Sequence, residues 1–251
     1  MSRRLRLVVF GLGAAGLAAL FVWGFAELPH FGDFDGAYGQ LLADLTVPER
    51  HATSAVAVST FDFRGLDTLG EEFILFTAAV GVLVLLRGQR AGETVAAEPI
   101  RAHHPTAESR TLRSVSVALA APVLVLGAYV VAHGHLTPGG GFQGGVVLMT
   151  ALLLVYLGGT HLRVGGMRPL TGMEAAEGAG AAGFALIGLG GIVLAASFLE
   201  NFLPFGTTGN LISGGVIPLL NVSVGFEVMG ALLVVIGELL DQRFLIRRGD
   251  Q

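Results

Sequence analysis

The chain has 251 residues, of which 53% are hydrophobic and only 14% are charged, and its formal net charge is −4. Soluble domains usually carry about 25% charged residues. With a mean hydropathy of +0.71, the composition excludes an ordinary soluble domain and indicates a polytopic membrane protein. The absence of cysteine excludes a disulfide framework, a thiolate metal site and a cysteine nucleophile.

Six apolar stretches predict six transmembrane helices, because a helix needs about 20 mostly apolar residues to cross a bilayer. The fold class is therefore an all-α, polytopic integral membrane protein with Gly/Pro-rich outer loops. The predicted spans, in chain order, cover residues 5–26, 71–86, 112–132, 144–159, 178–199 and 214–240.

The region before the second span is polar, and it contains a short predicted helix near 35–45. It ends in a sequence motif that begins at Phe61 and places acidic residues at the outer end of span 2. An acidic funnel would concentrate cations there. Alternatively, Arg64 forms ion pairs with these acids and stabilises the fold. The residues of this outer-face motif are Asp62, Arg64 and Asp67, followed by Glu71 and Glu72.

Residues 88–111 form a polar segment between spans 2 and 3. The sequence thus divides into a two-helix segment (1–87), a polar cytoplasmic linker (88–111) and a four-helix membrane domain (112–251).

A glycine-rich loop follows span 3 and reads His133-Gly-His-Leu-Thr-Pro-Gly-Gly-Gly-Phe-Gln-Gly-Gly145. Pro138 fixes one backbone angle, and the glycines that follow permit close approach or positive φ. We expect a rigid, packed loop, formed by Pro138, Gly139, Gly140 and Gly141. His133 and His135 either order the loop through backbone hydrogen bonds or act as a proton relay. Two histidines are too few for a zinc site, so no metal is predicted.

Ionisable residues inside the membrane are the main functional candidates, because each costs roughly 2.5–3.5 kcal/mol at a helix centre. Glu227 lies near the middle of span 6, with Ser223 and Glu238 on the same helical face. Helix geometry separates the two glutamates by about 16 Å. Gly214, Gly215 and Pro218 predict that the first third of span 6, before Glu227, is easily broken. Glu227 either exchanges an ion or is a protonated, structural group.

Two further glutamates occur at the start of span 5. Thr171 to Glu174 matches a capping box, and capping accounts for Glu174. Glu177 lies one turn deeper and remains an ion-translocation candidate with Glu71, Glu72, Glu227, Glu238 and Ser223.

Several of these strings resemble the MrpB/MnhB subunit of Mrp-type multisubunit cation/proton antiporters, over about residues 112–244. They are the loop from His133, Thr171-Gly-Met-Glu174, the segment 199–206, Ser213-Gly-Gly and Pro218-Leu-Leu-Asn-Val-Ser-Val-Gly-Phe-Glu-Val228. Residues 1–87, through Asp-Phe-Arg-Gly and Thr-Leu-Gly-Glu71, resemble the C-terminal end of the large MrpA protein, and also a small subunit of membrane-bound hydrogenases.

The resemblance implies an integral subunit that scaffolds a monovalent cation (Na+)/proton antiporter and contributes to a cation or proton route. It implies no enzyme activity and no cofactor, with Na+ and H+ as the transported ions. The implied partners are large antiporter-type subunits and the lipid bilayer, and no nucleic acid. Two alternatives stay open: a membrane-arm subunit of a redox-driven complex, and a purely structural linker.

The arginines predict the orientation in the cell membrane. The chain contains no lysine, and every arginine except Arg50 and Arg64 falls on one side if six spans place both termini in the cytoplasm. A reporter fused to either terminus is therefore expected to be inaccessible to a membrane-impermeant label in intact cells. Labelling of either fusion from outside would contradict this topology.

Overall fold

The computed structural model describes residues 3–28, 36–90, 110–157 and 169–249. Within these ranges all regular structure is helical, which confirms the all-α prediction. The elements are α1 (Arg3–Ala26), α2 (Ala37–Arg50), α3 (Ala55–Val58), a π-helical turn (Ser59–Phe63), α4 (Gly65–Arg90), α5 (Arg110–Ala132), α6 (Gly141–Leu157), α7 (Pro169–Leu194) and α8 (Ile217–Gly249).

Among the residues that the structure describes, five helices are long and apolar enough to cross a membrane, and the apolar part of α6, Gly141–Val155, is shorter. These helices confirm a polytopic membrane protein. The chain forms two compact units, residues 1–41 and residues 42–251. The first unit contains α1, none of whose residues is buried. The second unit contains α3 to α8 and every candidate site residue.

Several helix boundaries differ from the prediction. α4 begins at Gly65, six residues early, so Asp67, Glu71 and Glu72 lie inside the helix and not at its mouth. α7 begins at Pro169, so Thr171 is inside the first turn and is not the predicted N-cap; α7 ends at Leu194. Both ends of the predicted linker are helical, and residues 91–109 lie outside the described ranges.

The predicted weakness at the start of span 6 is wrong. α8 runs without a break from Ile217 past Glu227. Gly214 and Gly215 precede it with φ of 82° and 63°, values that favour glycine. Pro218 lies in the first turn, where a helix does not need the missing N–H.

α8 is the central helix of the second unit, and α4, α5, α6 and α7 all contact it. Its buried apolar side chains recur every three or four residues, which is the spacing of one helical face. They are Ile217, Leu220, Val224, Val228, Ala231 and Val234.

Glycines allow neighbouring helices to approach α8 and each other closely. Gly141 and Gly145 of α6 lie against Val224 and Val228 of α8, and a Cβ at either glycine would collide with backbone or side chain there. Gly127 of α5 faces Leu148 of α6 in the same way. Such contacts are typical of membrane helices, whose association depends on close packing.

Three connecting segments meet at one end of the second unit. We call residues 51–54, 133–140 and 195–216 the loop layer. The N–H groups of Thr53 and Ser54 both donate to the carbonyl of His135 at 3.1 Å. His51 Nδ1 donates to the Gly206 carbonyl at 2.5 Å. The two predicted Gly/Pro loops are therefore joined through the segment that precedes α3.

An asparagine caps the start of α8. Asn201 Oδ1 accepts a hydrogen bond from the Val216 N–H at 3.0 Å, and Asn201 Nδ2 donates to the Gly214 carbonyl at 3.1 Å. These bonds satisfy two backbone groups of the turn that leads into α8.

Gly141→Ala is expected to lower the melting temperature and yield of the protein, because the added methyl group meets α8. Overpacking of this kind costs about 1–3 kcal/mol. The matched control is Gly81→Ala in α4, where a Cβ meets nothing within 4 Å. Alanine is the better helix former, so the control should be neutral or slightly stabilising. Equal melting temperatures for the two variants would contradict the α6–α8 contact.

Candidate ion site

Three glutamates from three helices come together in the interior of the second unit. They are Glu72 on α4, Glu177 on α7 and Glu227 on α8, with exposed fractions of 3%, 2% and 0%. The prediction named all three separately, and the fold brings them together. Glu72 faces the interior, whereas its neighbour Glu71 is exposed on the outer side of α4.

The close crossing of α7 and α8 positions two of these carboxyls. A Cβ at Gly180 would collide with the backbone of α8 at Ser223 and Glu227, and a Cβ at Gly230 of α8 would collide with α7 at Glu177. At Gly183 a Cβ would lie 2.9 Å from Ser223 Oγ. Ser223 and Glu227 thus face α7, as their helical spacing indicates. Sequence analysis missed Gly180, Gly183 and Gly230. Gly180 and Gly230 lie three residues after Glu177 and Glu227, and Gly183 lies three residues after Gly180, which was a usable signal.

Glu72 and Glu227 are neighbours where α4 packs against α8. Neither oxygen of Glu227 has a hydrogen-bond partner among the described residues. Glu72 Oε2 and Glu177 Oε1 are likewise buried and unsatisfied. An isolated ionised carboxylate is very costly in an apolar interior, so this cluster needs a proton or a cation.

Glu238 is fully buried further along α8. Eleven residues of continuous helix separate it from Glu227, so it lies about 16 Å away along the axis. It is therefore a separate buried acid and not a member of the cluster.

The outer-face motif is paired differently from the prediction. The Asp62 carboxylate pairs with Arg50, whose guanidinium also lies over the rings of Phe63 and Phe205 at 5.0 and 5.4 Å. Arg64 pairs with Asp67 one turn on, and both side chains are more than half exposed. Arg64 therefore forms an ion pair with Asp67, one of the predicted acids, whereas Asp62 forms its ion pair with Arg50. No local pattern indicated Arg50, because it is 12 residues from its partner.

The glycine-rich loop packs against the start of α8. Gly139 and Gly140 have φ of 145° and 146°, and the Gly141 N–H donates to Asn221 Oδ1 at 2.8 Å. Asn221 Nδ2 donates in turn to the Ile217 carbonyl at 3.1 Å. Asn221 is fully buried and was not predicted as a site residue. Pro138 lies at the bend between His135 and these glycines.

The two histidines of the loop have different environments. His135 is fully buried in the loop layer, and its Nε2–H donates to the Asn210 carbonyl at 3.4 Å. The His133 ring stacks on Tyr129 with centroids 4.1 Å apart, and its Nδ1 donates to the Tyr129 carbonyl at 3.1 Å. Across the described ranges, no three His, Asp or Glu side chains converge so as to hold a metal ion.

Residues 111–234 match the family described as a domain related to the MnhB subunit of Na+/H+ antiporter. The match includes the glycine-rich loop, Glu177 and Glu227. This part of the chain belongs to the MnhB family. The predicted resemblance to MrpB/MnhB subunits is thereby confirmed.

Two sequence relatives support this assignment. An uncharacterized protein of Methanocaldococcus jannaschii is 28% identical over 198 residues, which cover 70% of this chain and 73% of the relative. A probable K(+)/H(+) antiporter protein of Rhizobium meliloti, of the combined A/B type, is 28% identical over 173 residues, which cover 62% of this chain but only 17% of the relative.

Two solved structures share the fold. One is a chain of the membrane-bound sulfane sulfur reductase, an archaeal respiratory membrane complex, with a TM-score of 0.71 and 30% identity; the match covers 94% of this chain and 98% of that one. The other belongs to the Mrp complex from Dietzia sp., with a TM-score of 0.64 and 25% identity; it covers 95% of this chain and 26% of that one. The MnhB-type chain thus resembles components of large membrane assemblies.

Acidification is expected to destabilise the loop layer. Burial lowers the pKa of His135 below its ordinary value of 6.5. The unfolded chain therefore binds a proton below about pH 6.5 that the folded chain still excludes, and folded-state stability falls as the pH drops through this value. Melting temperatures measured between pH 5 and pH 8 should decrease as the pH falls below about 6.5.

His135→Gln should reduce that acid-dependent loss, and His133→Gln should retain it because His135 is still present. An identical pH dependence of melting in the wild type and in His135→Gln would contradict the assignment.

Proposed function

We propose that this MnhB-type chain is a membrane subunit of a multisubunit monovalent cation/proton antiporter and contributes part of its proton route. The observation that carries the proposal is an MnhB domain in which three buried carboxyls meet at the crossing of α4, α7 and α8. The chain spans only 17% and 26% of the antiporter proteins that it resembles, so the whole exchange reaction requires other subunits.

The buried carboxyls support an ionic role because each has two stable states in an apolar interior. A carboxyl can be neutral with a bound proton, or ionised beside a cation. Changing between these states transfers a charge at a fixed place in the membrane, which is what an exchange route needs. Structural acids in membrane helices are usually satisfied by hydrogen bonds, but most oxygens of this cluster are not.

A second candidate function is a membrane-arm role in a redox-driven ion-pumping complex. The observation that favours it is the 98% coverage of a chain from an archaeal respiratory membrane complex at 30% identity. The same carboxyls would then move protons, driven by electron transfer in partner subunits. Co-purification of subunits that contain iron–sulfur or nickel–iron centres would favour this second function.

We infer the remaining properties from the family. The chain itself would be no enzyme and would hold no cofactor, and Na+ and H+ would be its transported ions. It would lie in the cell membrane with both termini in the cytoplasm. Large antiporter-type subunits would be its partners, and Glu71, exposed on α4, would lie near such a partner or near lipid.

The experiment is purification of the tagged chain in mild detergent, followed by cation-dependent proton flux in everted vesicles. We expect antiporter-type subunits to co-purify, and we expect Glu227→Gln to assemble normally but to lose at least about tenfold in flux. Glutamine keeps the shape of the side chain and removes its titration, and tenfold corresponds to about 1.4 kcal/mol.

Glu49→Gln is the matched control, because Glu49 is an exposed glutamate of α2 and is not one of the three buried carboxyls. It should leave flux unchanged. Wild-type flux at every pH for Glu227→Gln, with normal complex yield, would refute a role in the route. Recovery of the chain without any antiporter-type subunit would refute the proposed assembly.

A further inference from the structure

We propose that Arg50 is a positioning residue for the buried carboxyl of Glu72. By binding Asp62 and stacking on Phe205, it fixes the start of α4 against the loop layer and keeps Glu72 in the interior. The inference rests on the proposed function only for its effect on flux. Its effect on the position of α4 is measured without reference to ion transport.

The guanidinium of Arg50, the last residue of α2, makes contacts with two other segments. Its Nε donates to the Asp62 carboxylate, and its Cζ lies over the rings of Phe63 and Phe205 at 5.0 and 5.4 Å from their centroids. The Asp62 side chain is only 5% exposed. A buried carboxylate is costly unless it is paired and hydrogen-bonded, and Arg50 supplies both the charge and the hydrogen bond.

The residues that Arg50 holds lie where α4 begins. Asp62 and Phe63 end the π-helical turn, which Arg64 closes by donating its N–H to the carbonyl five residues earlier at 2.8 Å. A turn closed over five residues is wider than an α-helical turn, so it changes the direction in which the following side chains point. Because α4 starts directly afterwards, at Gly65, fixing Asp62 fixes the rotation of α4 about its axis.

The first turns of α4 transmit this rotation to Glu72. Thr68 Oγ1 donates to the carbonyl of Thr60 in the π-helical turn at 2.7 Å. Gly65, Thr68 and Glu72 are buried and recur every three or four residues, so they share one helical face. The adjacent Glu71 is exposed. Rotation of α4 by about 100° would exchange the positions of the two glutamates.

Arg50 is also connected to the start of α8. Phe205 belongs to the loop layer, and its carbonyl accepts a hydrogen bond from the Gly214 N–H at 2.9 Å. The Gly214 carbonyl accepts in turn from the N–H of Ile217, the first residue of α8, at 3.3 Å. Arg50 therefore lies between the start of α4 and the loop that leads into α8.

A second arginine ion pair close by in the chain lacks these properties. Arg64 pairs with Asp67, three residues on, and both side chains are more than half exposed. An ion pair this local does not join one segment to another, and exposed ion pairs contribute little to stability. Arg64 thus provides a control of the same residue type.

The test uses the purified complex with spin labels on two introduced cysteines, Gly70→Cys in α4 and Leu219→Cys in α8. The chain has no cysteine of its own, and both sites are exposed. A Cβ at Gly70 meets nothing within 4 Å. Pulsed electron paramagnetic resonance gives the distance between the labels, and a complex without the two cysteines gives the background from partner subunits.

Arg50→Gln should shift or broaden the label distance by about 3 Å or more, because rotation of a helix by about 40° moves its side chains by that amount. Arg64→Gln should leave the distance unchanged. Glu49→Gln should do the same, although Glu49 is the exposed acid 4.0 Å from Arg50. Arg50→Lys keeps the charge but loses the planar guanidinium, so it should restore the wild-type distance only in part.

The second readout is cation-dependent proton flux per assembled complex. Arg50→Gln should lower this flux at least about threefold, because a displaced group transfers protons poorly. If Arg50 acts through Glu72, adding Arg50→Gln to Glu72→Gln should lower the flux no further, whereas independent effects add. If Arg50→Gln yields no complex, Phe205→Leu replaces it in both readouts, because leucine removes the stacked ring and leaves the ion pair with Asp62.

Three results would each overturn the proposal: an unchanged label distance in the assembled variant, an equal change in Arg64→Gln, and flux losses that add in the double variant. A changed distance combined with wild-type flux in Arg50→Gln and in Glu72→Gln would support the positioning of α4 by Arg50 and would refute the role of Glu72 in the proposed route.

Discussion

The close packing of helices on α8 is the constraint on which the rest of the structure depends. Glycines on α6 and α7 and Gly230 on α8 itself bring backbones into contact. In a membrane such contact gives dispersion energy that looser packing would lose. Glu177 and Glu227 lie at the crossing of α7 and α8, where their side chains are buried. Helix association and the unusual state of these carboxyls thus have one physical cause.

The loop layer fixes the ends of the helices that make these contacts. Asn221 holds the start of α6 through the Gly141 N–H, and Asn201 holds the start of α8. Thr53 and Ser54 bind the carbonyl of His135, which connects the segment before α4 to the glycine-rich loop. Because these bonds lie between segments far apart in the chain, they position α4 relative to α8 and so bring Glu72 to Glu227.

A cluster of buried carboxyls of this kind is compatible with different driving forces. The structural relatives include one chain of an Mrp complex and one chain of an archaeal respiratory membrane complex. Such a cluster requires only that a neighbouring group alters the free energy of protonation. A cation that moves through partner subunits could do so, and so could a charge produced by electron transfer. The shared fold therefore does not by itself require a shared source of energy.

The sequence determined the all-α membrane fold, because hydrophobic runs of bilayer length have no other stable form in lipid. Its motifs also identified the MnhB family and the buried acids Glu177, Glu227 and Glu238. Only the tertiary structure decided which of the adjacent Glu71 and Glu72 faces the interior, because successive helical residues differ by about 100° and the start of α4 at Gly65 sets the phase. It alone paired Arg50 with Asp62 and brought Glu72 of α4 next to Glu227 of α8, since contacts between segments distant in the chain arise from packing and leave no local pattern.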